Sequence, residues 1–220
     1  MTTRRLLILG PLFYLVVFFL YPLSAILARS LNTDSFMGVG PFSALLTDSY
    51  YLERIWFTIW QATVSTLLTV AIGLPMAYLF AKHQFPGKTV LKAVSTIPFI
   101  MPTIVVAMGF LALIGPQGIL NSLLVASFNF DAPPVRVTNT LLIIFMAHAF
   151  YNYSIVVRIV STYWANLSPR LEESAAMLGA GRFETFVHVT VPLLLPAIVS
   201  SAVLAFAFSF TSFGVVLILG

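Results

Sequence analysis

A polytopic, all-α transmembrane bundle of about five spans is the architecture this chain predicts, and three observations predict it. Sixty percent of the 220 residues are apolar and 8% are charged, whereas a soluble domain carries about 25% charged residues to keep its surface wetted. The apolar residues lie in long uninterrupted runs, and roughly 20 of them, rising about 1.5 Å each, cross a hydrocarbon core of about 30 Å. The basic residues sort unevenly to the two ends of those runs, as they do when cations are retained on the cytoplasmic side.

Five segments are long enough to span: approximately Leu6 to Ala28, Ile55 to Ala81, Val90 to Ile114, Thr138 to Val160 and Leu193 to Leu219. The first follows Arg4 and Arg5 and ends near small residues at Ala25 and Ala28, as a cleaved signal does. Its apolar stretch is longer than the roughly 7 to 15 residues of a signal core, so a retained span is expected. Arg4, Arg5, Lys82, Lys88, Lys92, Arg158, Arg170 and Arg182 fall on one side of this arrangement, and Arg29, Arg54 and Arg136 on the other. The amino terminus, the Lys82 to Lys88 loop and the loop of residues 161–192 are therefore expected in the cytoplasm. Asp34, Asp48, Glu53 and Asp131 are expected outside. The chain stops at Gly220 straight after an apolar run with no polar anchor, which reads as a single transmembrane domain, 1–220, truncated at its carboxyl end.

Pro75, Pro98 and Pro102 lie within apolar runs, where each removes a backbone donor and crowds the preceding turn, so kinks are expected. In lipid the freed carbonyls must find partners in neighbouring helices, hydroxyls or water. Ser95, Thr96 and Thr103 stand close to Pro98 and Pro102. A bent helix lining a pathway and ordinary helix packing both account for this pair. Inside the fourth span His148, Tyr151, Asn152 and Tyr153 form the most polar cluster. An ionisable residue at such depth is a functional candidate, for a relay or a substrate contact. His148 and Asn152 also stand four apart on one helical face, and the favoured reading is that they bond to neighbouring helices.

Between the fourth and fifth spans the chain reads NLSPRLEESAAMLGAGRFETFVHVTVPLLLP, too polar to cross. Ser168 is suited to cap a helix, Pro169 to its first position, and Glu172 and Glu173 to its positive end. Gly179 can adopt the left-handed conformation that ends it, with a further turn or two from Arg182 to Val189 before Pro192. Leu171, Ala175 and Leu178 then make a small apolar ridge flanked by charge.

At these residues the chain resembles the permeases of binding-protein-dependent ABC importers, whose cytoplasmic loop reads Glu-Ala-Ala, three residues, Gly, nine residues, Ile, one residue, Leu-Pro. Glu173 starts the pattern, Ser174 replaces its first alanine, Ala175 is the second, Gly179 the glycine, and Val189, Val191 and Pro192 complete it. The resemblance implies a fold like that of type I ABC importer permeases in the inner membrane, with this loop docking on cytoplasmic ATP-binding subunits. It further implies an extracytoplasmic solute-binding protein and a second permease half or subunit as partners. From about Arg54 onward, segments such as LPMAYLFAKHQFPGK look most like the ferric-iron and thiamine branch, where the permease is often double length. On that resemblance the chain is an amino-terminal half carrying iron or thiamine.

Other chemistry is not expected. Basic residues are isolated, which disfavours nucleic acid, and without cysteine there is no disulfide, thiolate metal site or cysteine nucleophile. No metal ligand set, cofactor or catalytic residue is assigned. Gly87, Lys88 and Thr89 match the end of a phosphate-binding loop, but Lys82 stands where that loop needs glycine, so ATP hydrolysis must come from a partner. The competing reading is an ion-driven secondary transporter or channel, motivated by the proline-broken third span and the His148 cluster. It is weakened by the lack of a carboxylate in any expected span.

Overall fold

The computed structural model of the chain describes residues 2–31 and 46–220. Asp34, expected in an external loop, lies outside the described residues. The chain divides into two compact units, Met1–Phe57 and Thr58–Gly220. Among the described residues five helices are long and apolar enough to cross a membrane: Leu9–Arg29, Ser49–Lys82, Thr103–Phe128, Leu141–Ala165 and Arg182–Phe210.

In the first unit α1 (Thr2–Leu15) runs through a π-helical turn at Val16–Leu20 into α2 (Tyr21–Leu31). The Tyr21 N–H donates to the Val16 carbonyl, five residues back, immediately before Pro22. A proline cannot donate, and its ring presses on the carbonyl four residues earlier. The widened turn relieves that crowding without ending the helix.

Helix α3 (Ser49–Lys82) begins within the first unit, and its residues in the second carry a stripe of small side chains. Ser65, Thr69, Gly73 and Ala77 recur every fourth position and are all buried. Small side chains let two helix backbones approach closely in a membrane. The partner is α8 (Leu141–Ala165), since a Cβ on Gly73 would come within 2.7 Å of Val156 Cβ. After a turn in which Gly87 takes φ 81°, α4 (Lys88–Val94), α5 (Ile97–Ile100), α6 (Thr103–Ile114) and α7 (Ile119–Phe128) follow. Beyond α8 lie α9 (Arg170–Met177), α10 (Arg182–Thr185), a second π-helical turn at Phe186–Thr190, α11 (Val191–Phe210) and α12 (Phe213–Leu219).

Helix α8 is the hub of this unit. Its Val156, Val160 and Trp164 pack with Ala77 of α3 and Leu194 and Ala197 of α11. Its Ile143, Ile144 and Ala147 pack with Ala107 and Ile114 of α6 and Val215 and Leu219 of α12. Asn121, buried at the start of α7, donates to the Gly115 and Val135 carbonyls at 2.8 Å each and accepts from Val135 N–H at 2.9 Å. That clasp anchors the 129–140 connection to the helix pair. Many outward side chains, among them Leu67, Ile72, Val105 and Val199, are apolar and exposed, as a lipid-solvated surface requires.

All five crossings have bounds different from those read in the sequence, and the third and fifth differ most. The segment around Pro98 and Pro102 breaks twice, at Ser95–Thr96 and Met101–Pro102, leaving only short helices there. The apolar crossing instead runs through α6 and, past the turn at Gly115–Gly118, α7. The Ser95 and Thr96 hydroxyls donate to the Lys92 carbonyl at 2.8 and 3.1 Å, closing α4 ahead of Pro98. The last crossing begins earlier than Leu193, because Pro192 does not end the helix. Its cost is absorbed by the π turn, in which Val191 N–H donates to Phe186 O. That crossing ends at Phe210, where the Thr211 hydroxyl takes the Ala207 carbonyl at 2.8 Å and the chain turns into α12.

Candidate functional site

The loop between the last two crossings folds as helix, turn, helix. Pro169, and not Ser168, occupies the cap position of α9, with no side-chain cap bond. The Pro169 carbonyl accepts from Glu173 N–H at 3.0 Å, and Glu172 and Glu173 fill the first turn, where the helix dipole favours anions. The far end closes on Gly179 at φ 89°. Gly179 N–H donates to Ala176 O at 3.0 Å and Ala180 N–H to Ala175 O at 3.1 Å, the paired bonds of a Schellman cap. Glu173, Ser174 and Gly179 are exposed and Ala175 half-buried. Val189 lies in the π turn, while Val191 and Pro192 open α11.

The loop is tied back to the bundle by a residue that the spacing argument passed over. Lys82 Nζ, at the end of α3, donates to both Glu172 oxygens at 2.9 and 2.8 Å, and Thr190 Oγ1 donates to Glu172 Oε1 at 3.1 Å. One carboxylate thus joins α9, α3 and the π turn leading into α11. Beneath it lies a cavity of about 830 Å³ with Tyr78, Trp164 and Phe186 in its wall. Trp164 sits between the other two rings, at centroid distances of 5.3 and 6.3 Å. Nothing in the sequence pairs Glu172 with residues 90 and 18 positions away.

The intramembrane candidates form a separate group. Ser65 Oγ and His148 Nδ1 are joined by a hydrogen bond of 3.0 Å. Asn152 Nδ2 donates to Ser209 Oγ at 3.1 Å, and Gln61 Nε2 to the Ser209 carbonyl at 3.3 Å. All five residues are buried, so this polar ladder ties α3, α8 and α11 together at depth. His148 and Asn152 do bond to neighbouring helices, and neither lines the cavity under the loop. Pro98 is buried in α5, whose Phe99 packs on Tyr151 and Phe208 at 6.1 and 5.6 Å, while Pro102 precedes α6 and is exposed. Lys88 of the false phosphate-loop match donates to the His83 carbonyl at 2.9 Å, in a turn between helices.

A family model described as "Binding-protein-dependent transport system inner membrane component" matches residues 69–220, more than half of the chain. The chain belongs to this family. It is a multi-pass inner-membrane permease subunit of an ABC importer, not an enzyme, and works with a periplasmic binding protein and ATPase subunits. It is 32% identical over 206 residues to the sulfate transport system permease protein CysT of Escherichia coli (strain K12), covering 94% of this chain and 71% of CysT. The molybdenum permease ModB of the same organism is 29% identical over 170 residues, covering 77% and 72%. The thiamine permease ThiP of Salmonella typhimurium is 31% identical over 199 residues, covering 90% of this chain but 36% of ThiP. The fold is that of a bacterial ABC transporter that imports the acidic polysaccharide alginate. That match has a TM-score of 0.76 at 17% identity, over 99% of this chain and 77% of the other. Family membership displaces the ion-driven alternative.

Proposed function

We propose that the chain is the translocation subunit of an importer for a small oxyanion, with residues 161–192 as the loop that docks on its ATPase. One observation carries the docking. Met177, Leu178 and Phe183 are 88%, 89% and 80% exposed, on a helix–turn–helix that also carries Arg170, Glu172, Glu173, Arg182 and Glu184. Such charge keeps the segment in water, and large apolar groups presented there form a protein-binding patch. Glu173, Ser174, Ala175, Gly179, Val189, Val191 and Pro192 shape that segment. The Glu172 bridge gives a displacement of α9 a route into α3 and α11. The distribution of basic residues supports a cytoplasmic side for this loop and for the amino terminus. Residues 1–220 form one permease domain that pairs with a second half or subunit.

The oxyanion reading is supported by CysT and ModB, whose solutes are sulfate and molybdenum species. Of the iron and thiamine branch expected from the sequence, ThiP supports thiamine, over a smaller share of its own length. Pro98, Pro102, His148 and Asn152 remain pathway or packing candidates, and the hydrogen bonds of His148 and Asn152 favour packing for those two.

The test is ATP-driven uptake by proteoliposomes holding the complete transporter and its binding protein. Labelled sulfate or molybdate should accumulate, and a preference for thiamine would overturn the solute assignment. Glu173→Lys reverses charge at the positive end of α9. Gly179→Leu forces a β-carbon into the left-handed region at about 1 to 2 kcal/mol. Both should cut uptake by about tenfold or more, in proportion to a loss of about 1.4 kcal/mol. Capture of the ATPase at wild-type strength by both variants would refute the docking role.

A further inference from the structure

Arg158 is a cation inside the fourth crossing, seven residues before the end of α8 at Ala165. That is about 10 Å along the axis. Among the described residues no ion pair or hydrogen bond to Arg158 is found. The residue is exposed and lies towards the cytoplasmic end of the crossing, where its long side chain can extend to the interface and present an unpaired guanidinium to an anion. Arg158 opens onto a cavity of about 690 Å³ between α8 and α11, lined also by Thr162, Tyr163, Asn166 and Ser200 and by no carboxylate.

Ile159, Leu167, Pro196 and Ala197 make part of this wall apolar, and its polar side chains other than Ser200 come from the α8 side. Arg158 and Thr162 of α8 and its cap residue Asn166 recur every fourth residue along one side. Asn166 Nδ2 spends one hydrogen on the Thr162 carbonyl at 2.8 Å, leaving its second N–H. The Ser200 hydroxyl is taken by the Pro196 carbonyl at 2.7 Å. The Thr162 and Tyr163 hydroxyls and all five guanidinium N–H groups stay available. A fixed positive charge beside hydroxyl and amide groups that can donate, with no carboxylate in the lining, suits a ligand made of acceptors.

We infer that Arg158, Thr162, Tyr163 and Asn166 form a binding site for a tetrahedral oxyanion at the α8–α11 cavity. The shared chemistry is a dianionic or monoanionic XO₄ group, supplied either by the transported solute or by a phospholipid phosphate. The first source rests on the oxyanion reading of transport; the site itself does not. A guanidinium–oxyanion contact is charge-assisted and bidentate, so its removal is expected to weaken binding at least about tenfold.

The complete transporter in alkyl maltoside detergent, without binding protein, is titrated with labelled sulfate and molybdate by equilibrium dialysis, and its retained phospholipids are counted by native mass spectrometry. Arg158→Gln and Arg158→Lys are measured alongside, with elution volume and ATPase activity as folding controls. If the transported anion is the ligand, wild type binds sulfate or molybdate saturably. Arg158→Gln then loses at least about tenfold in affinity and Arg158→Lys less, since it keeps charge without the fork. If lipid is the ligand, anion binding is absent and Arg158→Gln retains fewer phospholipids than wild type. Unchanged anion affinity together with an unchanged phospholipid count in Arg158→Gln overturns the site. Should uptake assays show a solute that is not an oxyanion, the transport reading falls and the phospholipid count alone decides this one.

Discussion

Asn121 shows how much a single side chain can hold in this chain. Its amide takes both Gly115 O and Val135 O and its oxygen takes Val135 N–H, all within 2.9 Å. Replacing it with leucine leaves the Val135 N–H and carbonyl to find partners, while Gly115 O keeps the bond from Gly118 N–H, and buried unsatisfied groups cost about 1 to 3 kcal/mol each. Asn121→Leu should therefore lower the melting temperature of the purified transporter by several degrees. Asn121→Asp should do so as well, because it keeps the acceptor for Val135 N–H but loses both donors. An unchanged melting temperature in both would show that the clasp contributes nothing. Gly179 is a contrasting case: no atom lies within 4 Å of a Cβ placed there, so its constraint is the φ of 89° and not space.

Among the elements, α9 is the one whose attachment decides its use. The Lys82–Glu172 pair is about one-third exposed at each side chain, 31% and 34%. Pairs exposed to that degree contribute about 0 to 1 kcal/mol, so its removal should barely change stability. As the link between α9 and the end of α3, it should matter far more to transport. Glu172→Lys is expected to slow uptake several-fold while ATP hydrolysis continues, and the charge-reversed pair Lys82→Glu with Glu172→Lys should recover most of it. Uptake per ATP hydrolysed is the measurement, and failure of the reversed pair to recover it would limit Glu172 to local packing. The two π turns share a second element-level rule. Each ends two residues before a proline, Pro22 or Pro192, and lets a helix pass through a residue that ordinarily stops it.

For the molecule as a whole, solvent is the governing fact. The outward faces of the crossings are apolar because lipid surrounds them, whereas the apolar tips at Leu178 and Phe183 stand on a charged loop. The cytoplasmic assignment of that loop is open to a clean test, since the chain has no cysteine. Single-cysteine variants Leu178→Cys and Asp131→Cys in sealed, right-side-out vesicles should differ in labelling by a membrane-impermeant maleimide. Cysteine at 131 should react from outside, and cysteine at 178 only after the vesicles are opened. Reaction of position 178 in sealed vesicles would end the coupling account.

Much of this was legible in the residues, because the signals are local. Apolar length gave five crossings, and the glycine at 179, with its neighbours, gave the turn that the backbone adopts. The resemblance to importer permeases brought out Glu173 through Pro192 as a motif, whereas the cap and turn within it were readable because they are set by residues close in the chain. What sequence could not supply depends on which helices become neighbours. Pro192 reads as a stop until the π turn before it is seen, and Val90 to Ile114 reads as one span until its prolines divide it. Glu172 reads as one of two equivalent carboxylates until α3 brings Lys82 within 2.8 Å. Arg158 counts merely as a cytoplasmic-side cation until α11 closes a cavity beside it. Helix formation and membrane insertion follow from composition along the chain, whereas electrostatic partners and cavities follow from packing between segments tens of residues apart.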